Sequence, residues 1–369
     1  MSILPNLKTG VRKIKGETAI LNVTSFCNAR CLFCSEGRHT HPVNVDLSVI
    51  KQTVLKLKSM GIEAINFMGG ETTLREDLEE ILRFIHRQGI KTYLVTNGIK
   101  FADRKFARRI LKYLDSIEIS VHAHDKAMFR ALMGVDAFDE LIRGVENIRD
   151  YKSKMVIFFN FIPNSLNYTK ILAVFKLLKK LLGGRDFLVH IKTLNLEGRV
   201  CEDPQLIPDY NKFAGYLQSV IKYAVSNDIG VVISRFPLCL YKGFEYLCLE
   251  LPLKLRKNKM FFYNDQVLGK NTSFKPEPMF NYNQSAHTHK ECLECGLGII
   301  CPGIDSRYLK IRNNPSFISA QDKPISKIIE KMAQMSLFFK LDYEYHEYPF
   351  EVKSGYPSGV FDKKAKIKG

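Results

Sequence analysis

The chain's 369 residues exceed one typical domain, and a composition that is 46% hydrophobic and 11% aromatic supplies a sizeable core. The net charge of +17 leaves a polyanionic partner open, but the lysines and arginines are spread along the chain and its densest runs, 253–260 and 362–369, lack interleaved aromatic residues. A solvated basic surface is therefore favoured over a nucleic-acid footprint. The first ten residues hold no continuous apolar stretch and no run of about 18 apolar residues follows, so neither secretion nor membrane spanning is indicated and a cytoplasmic location is expected.

In chain order, β-like runs at 18–24, 63–68, 91–96, 116–121, 154–162 and 186–194 alternate with helical patterns near 46–60, 75–89, 102–113, 137–151, 168–183 and 209–227. Regular β/α alternation implies a parallel sheet with right-handed crossovers. With six units the pattern predicts an α/β fold, an open, partial (β/α)6 TIM-like barrel over 17–235, after an N-terminal extension at 1–16. From 236 to 308 the features are short, rich in Pro, Gly, Asn and Cys, and the next helical period falls near 324–339. This reads as a small module over 236–340, held partly by something other than an apolar core, and 341–369 reads as a loose tail.

Nine cysteines are present, six of them in two tight clusters, which suits metal or redox ligation in a reducing compartment better than disulfides. The first cluster, Cys27-x3-Cys31-x2-Cys34, begins just after the first strand, where the functional loops of a parallel barrel lie. Three thiolates can hold three corners of a [4Fe–4S] cube and leave the fourth iron open to a small molecule; a buried thiol cluster or half a zinc site is the alternative. The second strand ends in Gly69-Gly70-Glu71, glycines that let backbone approach a ligand and a carboxylate able to pair with an ammonium group.

Together these motifs resemble the radical S-adenosylmethionine (radical SAM) superfamily, over about residues 17–235. The resemblance implies that Cys27, Cys31 and Cys34 bind the cluster, that S-adenosylmethionine chelates the open iron, and that Gly69, Gly70 and Glu71 receive its methionyl amine. One electron would then cleave it to methionine and a 5′-deoxyadenosyl radical that takes a hydrogen atom from substrate. Phe33 falls where the family often has an aromatic residue near the adenine, with ordinary packing as the alternative. Ser120, ending the fourth strand, matches a polar position used on the ribose, and His122 lies two residues on. Asn160 and Asn164 follow as ribose or carboxylate contacts, and Thr96-Asn97-Gly98 closes the third strand, although Asn and Gly also favour turns. His190 and Lys192 alternate on the sixth strand and so share one face. No residue is singled out as catalytic beyond these.

The second cluster, Cys292-x2-Cys295-x5-Cys301, with Cys239 about fifty residues earlier, makes a complete four-thiol site. Structural zinc would be served as well, but beside a radical SAM barrel the arrangement resembles the SPASM and twitch extensions that hold auxiliary [4Fe–4S] clusters. One such cluster is expected, with Cys248 as the alternative fourth ligand and no role for Cys201. The function implied is hydrogen-atom abstraction from a small or carrier-bound substrate, the auxiliary cluster binding substrate or accepting an electron, with a flavodoxin or ferredoxin as electron donor. Only about 26 residues precede Cys27, too few for a leader-recognition or cobalamin-binding fold, so peptide maturation is the runner-up, and an RNA-modifying enzyme or a non-catalytic cluster carrier stands behind it.

Overall fold

Seven strands line up side by side in chain order: β1 (Glu17–Asn22), β2 (Ile62–Met68), β3 (Lys91–Thr96), β4 (Ser116–Ser120), β5 (Val156–Phe161), β6 (Leu188–Lys192) and β7 (Gly230–Ser234). Every neighbouring pair is parallel. This computed structural model describes residues 17–37, 42–251, 261–262, 277–278, 285–286, 290–293, 295–298, 300–313 and 325–334. The extension at 1–16, the basic runs at 253–260 and 362–369, and the tail at 341–369 lie outside the described residues.

The outward pleat is apolar and fully buried, with Ile117 and Ile119 on β4, Ile157 and Phe159 on β5, and Val189 and Ile191 on β6. Helices α1 (Leu47–Ser59), α2 (Leu78–Arg87), α3 (Arg104–Leu111), α4 (Lys126–Met133), α5 (Phe138–Asp150), α6 (Ile171–Leu182) and α7 (Tyr210–Ser226) follow in the crossovers. Their starts are written locally: the Asp103, Asp125 and Asp209 side chains each accept backbone N–H groups that the helix leaves without a partner. In α2, Glu79 and Glu80 stand in the first turn and His86 and Arg87 in the last, complementing the helix dipole, while Ile81, Leu82 and Ile85 form its buried stripe.

The sheet has seven strands where six were expected. β7 is buried at every position, and a strand buried on both faces lacks the period-two signal by which strands are read. The barrel is open: among the described residues β1 does not pair with β7, and its free side carries the short segment Phe261–Phe262 instead. In the described parts of the C-terminal segment, Leu297, Ile300, Ile304, Tyr308, Leu309, Ile325 and Ile328 pack into the same apolar core as the barrel. Tyr308 stacks on Tyr210 with centroids 3.9 Å apart and rings 9° from parallel, and its hydroxyl accepts the Tyr210 N–H at 2.9 Å.

Candidate active site

The inward pleat is polar towards its C-terminal end, beyond a small apolar cluster of Leu188 and Val232 with Val156 and Phe158. Ser120 pairs in register with Asn160 and Asn160 with His190, a polar row across three strands that meets Val232 on β7, and two residues further along Lys192 pairs with Ser234. Glu118 shares that face. Its carboxylate lies 3.1 Å from Lys192 Nζ and 3.3 Å from His190 Nδ1, while His190 Nε2 is 2.8 Å from Ser234 Oγ. Facing a carboxylate, Nδ1 carries the imidazole proton and Nε2 accepts from the serine. Burial pushes the Glu118 carboxyl up, but the Lys192 ammonium and His190 outweigh it and hold it well below the carboxylate range. Asn160 Oδ1 is buried with no partner among the described residues, an acceptor that calls for a donor from a ligand.

At the C-terminal ends of these strands lies the cysteine loop, fixed from three sides. From α4, the carbonyls of Met133 and Leu132 accept the N–H groups of Arg30 and Leu32 at 2.8 and 2.9 Å. Beneath it, Gly70 donates to the Thr24 carbonyl at 3.0 Å and Glu71 to that of Phe26 at 2.6 Å. Across from it, Arg199 donates from its backbone to Cys34 at 3.0 Å. Cys27 is exposed, Cys31 and Cys34 partly so. Even so, protein crowds Cys27 enough that burial is the largest cause lifting its thiol to about 11, with Glu71 and Cys34 adding to it. Cys31 rises to about 12 through burial and then through Cys34 and Cys27. Thiols coupled in this way give up protons when a metal binds. Phe33 is buried and sets its ring edge against His122 at 4.9 Å. Burial and Lys192 drive that histidine from its ordinary 6.5 to about 3, so it is neutral, and its Nδ1 accepts the Ile162 N–H at 3.2 Å.

Gly69-Gly70-Glu71 is the hub of the loop's underside. Gly70 approaches so closely that a Cβ there would lie 2.2 Å from the Phe26 carbonyl oxygen, which only glycine permits. Glu71 is 1% exposed. Its Oε1 accepts from Thr73 Oγ1 at 2.6 Å, Thr96 Oγ1 at 2.7 Å and the Thr73 N–H at 3.2 Å, and its Oε2 from the Asn97 N–H at 2.7 Å. Asn97 Nδ2 then donates to Asn28 Oδ1, inside the cysteine loop, at 2.7 Å. The end of β2, the end of β3 and the thiol loop are thereby one hydrogen-bonded unit. Asn164 is placed differently: wholly buried, it builds its own turn with Asn167 and Leu166.

The C-terminal thiols also gather. Cys239 is raised to about 12 by burial and then by Cys301, Cys292 and Cys295, and Cys301 Sγ accepts the N–H groups of Leu238 and Gly303, each at 3.4 Å. Cys248 is buried beside β7 and donates to Glu250 Oε2 at 3.3 Å, and Cys201 is exposed and bonds the Leu196 carbonyl at 3.4 Å. Among the described residues no three His, Cys, Asp or Glu side chains converge on the single point one metal ion needs.

Compared with protein families, residues 21–195 match the radical SAM superfamily. Residues 21–195 are a radical SAM domain. The chain is 31% identical over 167 residues to a protein of Saccharolobus islandicus described as "Probable GTP 3',8-cyclase", covering 45% of this chain and 54% of that protein. A protein of Saccharolobus solfataricus with the same description is 33% identical over 156 residues, 41% of this chain and 49% of its own. The chain thus spans about half the length of the curated relatives it matches. The fold resembles the solved structure described as "Native anSMEcpe with bound AdoMet", with a TM-score of 0.57 and 14% identity over 88% of this chain and 98% of that one.

A radical SAM domain works with a [4Fe–4S] cluster and S-adenosylmethionine, and the residues present fit both. The coupled thiols sit over the open end of the strands, and the orphaned Asn160 oxygen lies beside Ser120 in the row below. Two neighbours of the site carry no signal in the sequence motifs. Glu118 lies two residues before Ser120, so strand periodicity alone could have found it, whereas nothing in "LEGRVCED" marks Arg199 as a partner of the thiol loop. For Glu71, Glu71→Gln must set an amide N–H against a backbone or hydroxyl donor. It is expected to lower both unfolding stability and S-adenosylmethionine affinity by about 1–3 kcal/mol, read by calorimetry on the iron-loaded protein. An affinity equal to wild type would detach Glu71 from the site.

Proposed function

We propose that this radical SAM enzyme takes a hydrogen atom from a small or carrier-bound substrate and holds an auxiliary [4Fe–4S] cluster on Cys239, Cys292, Cys295 and Cys301. The observation that carries the reading is the single hydrogen-bonded unit joining the Cys27–Cys34 loop, Gly69-Gly70-Glu71 and Asn97. When bound, the cluster and S-adenosylmethionine supply one-electron cleavage to a 5′-deoxyadenosyl radical. The chain's part is to hold and orient. Cys27, Cys31 and Cys34 would bind the cluster, the Gly69–Gly70 turn and Glu71 Oε2, which accepts a single hydrogen bond, would take the methionyl amine, and Ser120 and Asn160 would hold the ribose. Phe33, packed on neutral His122, would close the site to water beside the adenine.

GTP is the first substrate to offer, because the chain's relatives include proteins described as probable GTP 3',8-cyclases. Formation of 5′-deoxyadenosine that accelerates on adding GTP would support it; a rate indifferent to GTP moves the search to other small molecules and then to peptides. Cys248, already bonded to Glu250, is the weaker claimant to the auxiliary site.

The two cysteine sets divide the labour. A Cys292→Ala/Cys295→Ala variant, once shown to be monodisperse with its N-terminal cluster intact, is expected to keep forming 5′-deoxyadenosine from S-adenosylmethionine and dithionite without turning over substrate. If the intact variant forms none, the C-terminal cysteines belong to the cleavage machinery itself.

A further inference from the structure

We infer that Arg199 is a positioning residue for the cluster at Cys27, Cys31 and Cys34, locking their loop from its outer side and setting a fixed positive charge beside it. The inference rests on the assignment of the cluster to those cysteines. After β6 the chain turns through Gly198–Cys201 and runs hard against the loop. Gly198 has φ +59°, and a Cβ there would lie 2.5 Å from the carbonyl oxygens of both Cys34 and Ser35, so the approach is open to glycine alone. It brings the Arg199 N–H to the Cys34 carbonyl at 3.0 Å, and Arg199 Nη1 to the carbonyls of Arg30 at 2.8 Å and Cys31 at 3.1 Å. One residue from the turn after β6, more than 150 positions away, thus ties down the backbone at the second and third cysteines.

The charge on this residue is left over from its structural bonds. Among the described residues no carboxylate pairs with Arg199, and its Nε is buried with no partner. The two carbonyls that accept from its guanidinium, those of Arg30 and Cys31, hold it in place without neutralising its charge. A positive charge held there favours the state of the site with one more electron, because cluster potentials follow local charge and hydrogen bonding.

Arg199→Gln and Arg199→Lys separate the two roles, glutamine removing the charge and lysine keeping it while losing the fork. In the anaerobically reconstituted full chain, iron content, melting temperature and the EPR-monitored potential of the cluster whose signal changes on adding S-adenosylmethionine are measured for each. Arg199→Gln is expected to shift the reduction equilibrium about tenfold towards the oxidised form, 59 mV lower for one electron, with wild-type melting. Arg199→Lys is expected to keep the potential within a third of that shift but to lose iron faster to a chelator. Wild-type potential and iron in both variants overturn the inference. So does loss of iron in both together with lower melting temperatures, which leaves Arg199 a structural role only. If Cys27→Ala/Cys31→Ala/Cys34→Ala loses no iron relative to wild type, the cluster assignment itself has failed, and the inference falls with it for that separate reason.

Discussion

Replacing Cys27, Cys31 and Cys34 together by alanine is expected to abolish S-adenosylmethionine cleavage and to lower bound iron from about eight to about four per chain. The fold should survive. The loop is held mainly by backbone bonds to Met133, Leu132, Thr24, Phe26 and Arg199 rather than by its thiols, and the barrel core under it is continuous without them. Circular dichroism and melting near wild type, with no 5′-deoxyadenosine, would separate loss of the site from loss of structure. Retained iron near eight would mean that the first cysteine set holds no cluster; wild-type iron near four, with zinc on the C-terminal cysteines, would remove the auxiliary cluster.

The second large effect is expected at Gly70, through packing alone. In Gly70→Ala the new methyl would sit 2.2 Å from the Phe26 carbonyl oxygen and 2.7 Å from the Ser25 carbonyl carbon. These are backbone atoms that cannot rotate away, so the strand end and the thiol loop have to part. A loss of about 3 kcal/mol is expected from the overpacking, and about a hundredfold in S-adenosylmethionine cleavage from displacing the loop. Gly215→Ala is the control: it lies exposed on α7 with nothing within 4 Å of a built Cβ, and it should stabilise the helix by about 0.5–1 kcal/mol. A Gly70→Ala protein as stable and active as wild type would mean that the close approach does not matter.

Much of this site was legible in the sequence because its key parts are local. The spacing of Cys27, Cys31 and Cys34 after a strand, and Gly69-Gly70-Glu71 after the next, both lie within runs of ten residues. Counting in twos put His190 and Lys192 on one face, and Ser120, Asn160 and His190 fall in one row. What escaped was either buried without periodicity or made by distant partners. β7 is buried on both faces and apolar up to Ser234, so its run carried no alternation. Glu71 reads as a free carboxylate for a ligand, whereas four donors from Thr73, Thr96 and Asn97 already surround it. Arg199 meets the loop only because β6 lies where it does in the barrel, a relation that spans 168 positions in its bond to Cys31. The apolar contacts of the C-terminal segment with the barrel core carry no sequence signal, because the segment's features are short and aperiodic.

The central claim is that this chain cleaves S-adenosylmethionine reductively at the Cys27, Cys31 and Cys34 loop. It is tested most directly by incubating the anaerobically reconstituted wild-type chain with S-adenosylmethionine and dithionite and quantifying products by mass spectrometry. The account predicts 5′-deoxyadenosine and methionine in equal amounts, formed by the wild type and absent from the triple alanine variant. A wild-type protein that carries its full iron and forms neither product would contradict it.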